Sequence, residues 1–582
     1  MSPSPNSGTT DPKAAALATD QYFHATQARV FGSLSLASLS LAWLDWALHL
    51  VASPGKQTEL LRLAGRHQQE LTRYMHDCLK AAGDPSQVCI TPPETDRRFK
   101  DPAWSRWPYN LLHQGFLLNQ AWWEEATTGL HGVEPHHTRQ ITFWAKQWLD
   151  MMSPGNQLWT NPVALNRTIQ EGGMNLLRGS SHLLEDIVRH QAGMPKAGAE
   201  TFRVGHDVAT TPGKVVLRNG LIELIQYAPT TATVRPEPVL LIPAWIMKYY
   251  ILDLSPHNSL VRFLRDQGHT VYCISWKNPT DQDAALGMDD YLRDGFFAAL
   301  DTIGRIQPRR RIHATGYCLG GTLLAIAAAA MARDGDARLA SVSLLTAQVD
   351  FSEPGELGLF IDEAQVHMLE AQMKRQGYFS ADQMAGAFQM LRSYDLLWSR
   401  IIHEYLLGER QSMNDLMAWN ADTTRMPARM HSQYLRRLYL DNDLSAGRYP
   451  VDGRPVSLSD IRVPVFAVGT LTDHVAPWHS VYKLHQFLPG ELCFVLTSGG
   501  HNAGIISEPG HHRRHYRIRT RQPGDPFLPP DDWMDSTPTH EGSWWIEWAA
   551  WLTARSGSPL KPPRTPASAA REDAPGHYVL DT

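Results

Sequence analysis

The chain has 582 residues and nearly balanced charges, 54 Lys and Arg against 59 Asp and Glu, for a formal charge of -5. A phosphate-backbone binder would need a clustered basic excess, so the balance argues against nucleic acid as a partner. With 43% hydrophobic residues the chain can bury a large core, which excludes bulk disorder, and its five cysteines, Cys78, Cys89, Cys273, Cys318 and Cys493, lack the C-x-x-C spacing of a structural zinc site or a disulfide scaffold.

Residues 1–11 are rich in Ser, Pro and Thr and lack a basic segment followed by an apolar one. No export signal is visible, so a cytoplasmic location and a disordered stretch over residues 1–20 are expected. Residues 21–200 read as a helical domain, with apolar residues at three and four residue spacing in 59–81 and 137–152. The most apolar stretch, 31–52, is interrupted by Asp45, His49 and several serines. A spanning helix needs about twenty nearly uncharged residues, so this stretch reads as a buried or interfacial helix and no transmembrane segment is expected.

Strand signals begin near Lys214. Residues 215–224 are two β-rich runs around Asn219-Gly220, a hairpin signal. Apolar runs at 238–242, 270–275, 311–315, 341–346, 463–468 and 493–497 then alternate with helical text, which predicts βα units on a parallel sheet within a domain spanning 201–555. The alternation breaks over 351–444, which has helical pattern without strand signal. This segment reads as a cap or lid inserted over the sheet, with Trp398 and Trp419 lining what it covers. Residues 556–582, rich in Pro and Ala, read as a flexible tail.

One strand is followed by Gly316-Tyr317-Cys318-Leu319-Gly320-Gly321 and then by an Ala-rich helical run. This is the G-x-nucleophile-x-G turn with cysteine in the nucleophile position, where small neighbours let a strained strand-to-helix turn close. The helix N-terminus favours negative charge at Cys318, and Leu319 N–H is the natural oxyanion donor. The order nucleophile, acid, base is then completed by Asp473, on the loop beyond the 463–468 strand, and His501, in the glycine-rich loop beyond the 493–497 strand. His474 is a rival base and ranks second because it sits beside the acid. The cluster His511-His512-Arg513-Arg514-His515 reads as a solvated loop, and Trp544, Trp548 and Trp551 as packing of a terminal helix. The other four cysteines read as structural.

Several separated segments carry a family resemblance: Asp96-Arg97-Arg98-Phe99-Lys100-Asp101-Pro102-Ala103-Trp104, residues 248–254, Ser275-Trp276-Lys277-Asn278-Pro279, residues 316–321, Trp419-Asn420, Thr472-Asp473-His474, Gly500-His501 and Ser543-Trp544-Trp545. On these the sequence resembles, nearly end to end, the polyhydroxyalkanoate synthases, specifically the single-subunit class I type. The resemblance implies an α/β-hydrolase catalytic domain behind a helical N-terminal domain associated with dimerisation and granule attachment. It maps Cys318 as nucleophile, Asp473 as acid and His501 as general base. It further implies an acyltransferase that polymerises (R)-3-hydroxyacyl-CoA, with 3-hydroxybutyryl-CoA first, releases CoA, uses no metal or redox cofactor, and works as a homodimer at the surface of cytoplasmic polyester granules.

The chain departs from the family pattern at Pro243-Ala244-Trp245-Ile246-Met247, where a Pro-Pro pair and an Asn are usual, and at Gly500, where Ser is common. The first departure lies where a second oxyanion N–H is expected, near Trp245. Tyr249, Asp253, Trp419 and His474 are the candidate substrate contacts. Cysteine suits the chemistry, because loading exchanges one thioester for another and keeps the acyl group activated. The alternatives are a cysteine-dependent acyl-CoA thioesterase of the same fold, a non-catalytic granule-surface protein, which would not need three such residues in order, and a depolymerase, which would normally carry serine at the turn.

Overall fold

Asn219 decides where the sheet begins. Its Oδ1 accepts the N–H groups of Leu221 and Ile222 at 2.9 and 2.8 Å, turning the chain between β1 (Gly213–Arg218) and β2 (Ile222–Tyr227). The fold is seen in a computed structural model that describes residues 34–80, 88–92, 96–391, 393, 397–564 and 572–582. The expectation for residues 1–20 lies outside them.

The strands that follow are β3 (Val239–Ile242), β4 (Val271–Trp276), β5 (Ile312–Tyr317), β6 (Leu339–Leu345), β7 (Val465–Thr470), β8 (Leu492–Thr497), β9 (His515–Arg521), β10 (Thr539–Glu541) and β11 (Glu572–Asp573). They form an eleven-stranded sheet in the order β10-β9-β8-β7-β6-β5-β3-β4-β2-β1-β11. From β4 across β3, β5, β6 and β7 to β8 the pairing is parallel, and the flanking strands are antiparallel. The parallel strands are buried along their whole length, which is why they read as continuous apolar runs rather than as alternation.

The described chain divides into two compact units. The first holds Gly198–Met384 and Met413–Thr582, and the second holds Leu34–Ala197 and Ala385–Ser412. The second unit is helical, with α1 (Leu36–Val51), α2 (Pro54–Lys80), α3 (Tyr109–Thr127), α4 (Pro135–Met151), α5 (Pro162–Gln170) and α6 (Met174–Gln191). Among the described residues no single helix is long and apolar enough to cross a membrane.

The inserted segment is therefore not one cap over the sheet, as its helical pattern suggests. Residues 385–412 pack with the helical unit, and the reason is polar as well as steric. Asp186 on α6 accepts from Arg400 at 2.6 Å, Tyr405 at 2.8 Å and Arg410 at 2.9 Å. A Cβ at Gly179, two turns earlier on the same face of α6, would stand 2.0 Å from the Tyr405 carbonyl oxygen, so only glycine admits that approach.

The C-terminal residues correct a second expectation. Far from trailing, Leu560 exchanges backbone hydrogen bonds of 2.8 Å with Val234, and β11 pairs antiparallel with β1. The buried carboxylate of Glu223 then accepts the N–H groups of His577 and Tyr578 at 2.9 and 3.0 Å, and the Lys248 ammonium reaches the carbonyls of Tyr578 and Asp581. Pro content signals a backbone that breaks helix and strand; it does not register one whose N–H groups meet a buried carboxylate. Gly576 makes the turn with φ +81°, and a Cβ there would lie 2.3 Å from Glu223 Oε2. Gly576→Val is therefore expected to detach residues 572–582. Limited proteolysis read by mass spectrometry should show new cleavage within that segment, at sites the parent protein resists.

Candidate active site

β5 runs directly into α7 (Leu319–Arg333), and Cys318 occupies the turn between them with φ +53° and ψ -123°. A cysteine in that region costs on the order of 1–3 kcal/mol and persists only where its surroundings hold it. Here Cys318 N donates to Leu345 O at 2.9 Å, and Cys318 O accepts Gly321 N at 2.9 Å. Three glycines make the turn possible. A Cβ on Gly316 would meet Gly321 Cα at 2.4 Å, one on Gly320 would meet Ile242 O at 2.1 Å, and one on Gly321 would meet the Ala347 methyl at 2.4 Å. The start of α7 is thereby laid against the end of β3, with its N–H groups turned toward Cys318.

His501 comes from the loop after β8 and Asp473 from the loop after β7. The imidazole Nδ1 and the carboxylate Oδ2 are 2.8 Å apart. Oδ2 also accepts the Thr470 hydroxyl at 3.1 Å, while Oδ1 accepts the N–H groups of Val475 and Ala476 at 2.8 Å each. Burial would push this carboxyl up, but His501 and the two N–H groups outweigh it and hold the group below its ordinary value of 3.8. Burial likewise would depress His501, yet Asp473 and the neighbouring Cys318 raise the imidazole well above its ordinary 6.5. Its Nε2 is buried with no well-formed hydrogen bond, and Cys318 is the neighbour through which it could take a proton.

His474, the rival base, turns away: its side chain is 45% exposed and its Nδ1 lies 3.9 Å from Glu356. Leu319 N–H and Trp245 N–H, the expected oxyanion donors, donate to no acceptor among the described residues. The loop bearing Trp245 is fixed by Trp276, whose indole donates to Pro243 O at 2.9 Å, and by the Thr424 hydroxyl, which donates to Trp245 O at 2.9 Å.

The expected substrate contacts fare differently. Asp253 is spent inside the fold: its Oδ1 accepts the hydroxyls of Thr211 at 2.5 Å and Ser259 at 2.6 Å, and its Oδ2 accepts the Thr211 N–H at 3.2 Å. Tyr249 is a core residue, 1% exposed. Trp419, on α8 (Asp415–Ala421), is likewise buried and donates to Lys248 O at 2.8 Å, which anchors that helix. Trp398 belongs to the helical unit.

Sequence reasoning missed several neighbours. Tyr434 and Tyr439 from the insertion lie near Cys318, their hydroxyls 3.3 Å apart. Burial pushes Tyr439 up to about 12 and Tyr434 well above its ordinary 10.0, so both remain protonated donors. They are five residues apart at a wide π-helical segment, Leu435–Leu440, a period that a search for three and four residue spacing does not test. The His501 loop is braced by side chains read only as packing or as solvated loop. The indoles of Trp544 and Trp545 donate to Gly504 O at 3.1 Å and Ile505 O at 2.9 Å, and Arg514 donates to Ala503 O at 2.6 Å. Trp544 stands just before α9 (Trp545–Ala554), which packs on the sheet. Among the other cysteines, burial pushes Cys89 and Cys493 up to about 11 and Cys273 well above its ordinary 9.0, so those thiols stay protonated.

Strand order and the turn after β5 are those of the α/β-hydrolase fold, and residues 237–507 match the family pattern described as alpha/beta hydrolase fold. Residues 95–264 match Poly-beta-hydroxybutyrate polymerase (PhaC) N-terminus, and residues 14–56 match Poly-beta-hydroxybutyrate polymerase N terminal. The chain is 40% identical over 502 residues to a poly(3-hydroxyalkanoate) polymerase of Methylorubrum extorquens, covering 85% of this chain and 82% of that one. It is 37% identical over 521 residues to the poly(3-hydroxyalkanoate) polymerase subunit PhaC of Cupriavidus necator, covering 87% of each, and 37% identical over 509 residues to that of Rhizobium meliloti, covering 86% of this chain and 82% of the relative. The chain belongs to the poly(3-hydroxyalkanoate) polymerase family. It is an acyltransferase that makes polyester on an α/β-hydrolase fold.

The Asp473–His501 pair carries a pH signature. A raised imidazole stabilises the fold fully below its ordinary 6.5 and loses that contribution as pH rises through the folded value. A lowered carboxylate contributes above its ordinary 3.8 and loses it as pH falls through the folded value. Between 3.8 and 6.5 both terms are present. Asp473→Asn removes both, so the gap in melting temperature between parent and variant is expected to be widest in that window and to narrow on the alkaline side, as thermal melts across pH would show.

Proposed function

We propose that Cys318 is the nucleophile that carries the growing polyester, with His501 as general base and Asp473 as the group that orients and charges it. The observation that carries this reading is the 2.8 Å Asp473–His501 contact, whose outer nitrogen is left free beside a cysteine held at a strained strand-to-helix turn. The substrate is an (R)-3-hydroxyacyl-CoA, 3-hydroxybutyryl-CoA first. In loading, the thiol proton passes to His501, the sulfur attacks the thioester carbonyl, and CoA leaves as a thiol with the proton returned. The developing oxyanion is met by Leu319 N–H and Trp245 N–H, both without other acceptors among the described residues. In elongation His501 takes the proton of a 3-hydroxyl group as that oxygen attacks a thioester, so one ester bond forms and one thioester bond breaks. CoA enters as part of the substrate, and the reaction calls for no separate cofactor.

Tyr434 and Tyr439, protonated and close to Cys318, supply apolar ring surface with two hydroxyls at the reacting end of the site, which suits an acyl group bearing an oxygen. Family membership supports a homodimer at the surface of cytoplasmic granules. Leu41, Leu44, Leu48 and Val51, exposed along α1, give the helical unit apolar surface compatible with that setting.

The test is purified protein with (R)-3-hydroxybutyryl-CoA, following CoA release and insoluble polymer together. Polymer with stoichiometric CoA supports the reading; CoA with soluble hydroxy acid would establish a thioesterase instead. Cys318→Ala is expected to abolish CoA release, and near-parental release would overturn the assignment. His501→Ala should lower turnover by roughly 10³-fold or more, as removal of a base from such a unit does.

A further inference from the structure

Cys318 and His501 arrive on separate loops, 183 positions apart in the chain, yet the residues flanking them are bonded to each other. Tyr317, one place before the nucleophile, donates its hydroxyl to Asn502 Oδ1 at 2.6 Å, and Asn502 is one place after the histidine. The Tyr317 ring lies beside the imidazole, with centroids 5.8 Å apart and planes at 38°. With its oxygen occupied, Asn502 turns its amide nitrogen outward and donates to Asn420 Oδ1 at 3.2 Å. Asn420 is an exposed residue of α8, in the inserted segment. Nothing in the acid–histidine pairing requires this chain of contacts.

We propose that Tyr317, Asn502 and Asn420 form a hydrogen-bonded latch that positions His501 over Cys318 and ties that position to the placement of α8. The proposal rests on the assignment of Cys318 and His501 given above. The inner link, Tyr317 to Asn502, acts as a spacer: it joins the two loops by their nearest neighbours and so sets the gap between sulfur and Nε2, while the tyrosine ring limits the tilt of the imidazole. Asp473 holds only the far side of that imidazole, through Nδ1, and Nε2 makes no well-formed hydrogen bond among the described residues. The outer link, Asn502 to Asn420, makes the spacer sensitive to α8. That helix is itself seated by Trp419 on Lys248 O, by Asp415 accepting Ser255 at 2.5 Å and Asn258 at 3.0 Å, and by Asp422 accepting Tyr250 at 2.9 Å. A base placed well only while α8 is seated couples proton transfer to a covered site, where water is excluded. These are positioning residues: they touch the base or its loop, not the acyl group.

The experiment compares Tyr317→Phe, Asn502→Leu, the double variant Y317F/N502L, Asn420→Ala and Cys318→Ala in steady-state CoA release and in single-turnover loading across pH, with melting temperature as the control for folding. Y317F and N502L are expected to lower kcat about tenfold at unchanged KM and to change the pH dependence of loading, because a misplaced base slows proton transfer without touching ground-state binding. N420A, an exposed change, is expected to lower kcat about threefold with an unchanged melting temperature. Replacing both inner partners by apolar groups restores any stability lost by leaving one unpaired, but not the spacer, so the double variant should stay slow. Parental kcat in Y317F, or a double variant restored to parental kcat, would overturn the latch, since pairing of polar groups would then be its whole role. A loss in Y317F with none in N420A would overturn the tie to α8. Cys318→Ala separates the two levels, because CoA release in that variant would overturn the nucleophile assignment rather than the latch.

Discussion

The close approach between the first turn of α7 and the end of β3 is the constraint on which the remainder of the site depends. Gly320 stands so near the Ile242 and Pro243 carbonyls that no side chain fits, and that proximity lays the start of the loop bearing Trp245 against the first turn of α7. A larger residue would separate helix from strand, and three things would go together: the strained backbone at Cys318, the helix N–H groups facing it, and the placement of the Trp245 N–H proposed as second oxyanion donor. The Ala-rich body of α7, buried from Leu319 to Met331, absorbs the strain, since a helix so enclosed cannot relax by shifting. Local backbone cost is thus held by burial spread over thirteen consecutive residues, Leu319 to Met331.

The histidine loop solves a different problem. It is rich in glycine and has little stiffness of its own, so its geometry is imposed from outside by long side chains whose polar ends reach its carbonyls. Trp544, Trp545 and Arg514 each satisfy a carbonyl that a loop would otherwise show to water. Two of these donors stand at the start of α9, so a helix late in the chain fixes the loop that bears the imidazole. Asp473 is held by four donors at once, an arrangement that keeps a buried carboxylate charged where desolvation alone would neutralise it.

What could be read from residues alone follows the range of the interaction. The strands, the Asn219 hairpin and the glycine-flanked turn are local patterns, and their spacing is set by sterics within a few residues. Asp473 and His501 were legible together because each follows a strand, and parallel pairing of β7 with β8 puts both loops at one edge of the sheet. Asp253 was misplaced because a carboxylate close to a strand end reads the same whether it faces a ligand or, as here, two buried hydroxyls. The division of the insertion was invisible, since Asp186 and Arg400 are 214 positions apart and helical periodicity does not say which core a helix joins. Tyr434 and Tyr439 were hidden by a helical period not sought, and Tyr317 with Asn502 by being polar neighbours of more conspicuous residues.

The docked C-terminal segment also bears on how the chain is made. Glu223 is buried on β2, and the N–H groups that satisfy its carboxylate lie 354 and 355 positions further along. Until those residues leave the ribosome, the carboxylate is left without these two partners and β1 presents a bare edge, able to pair with any exposed strand. Completion of this edge of the sheet thus waits until residues 572–578 have been made, and the interval before it is when the nascent chain is most open to misassembly with its neighbours.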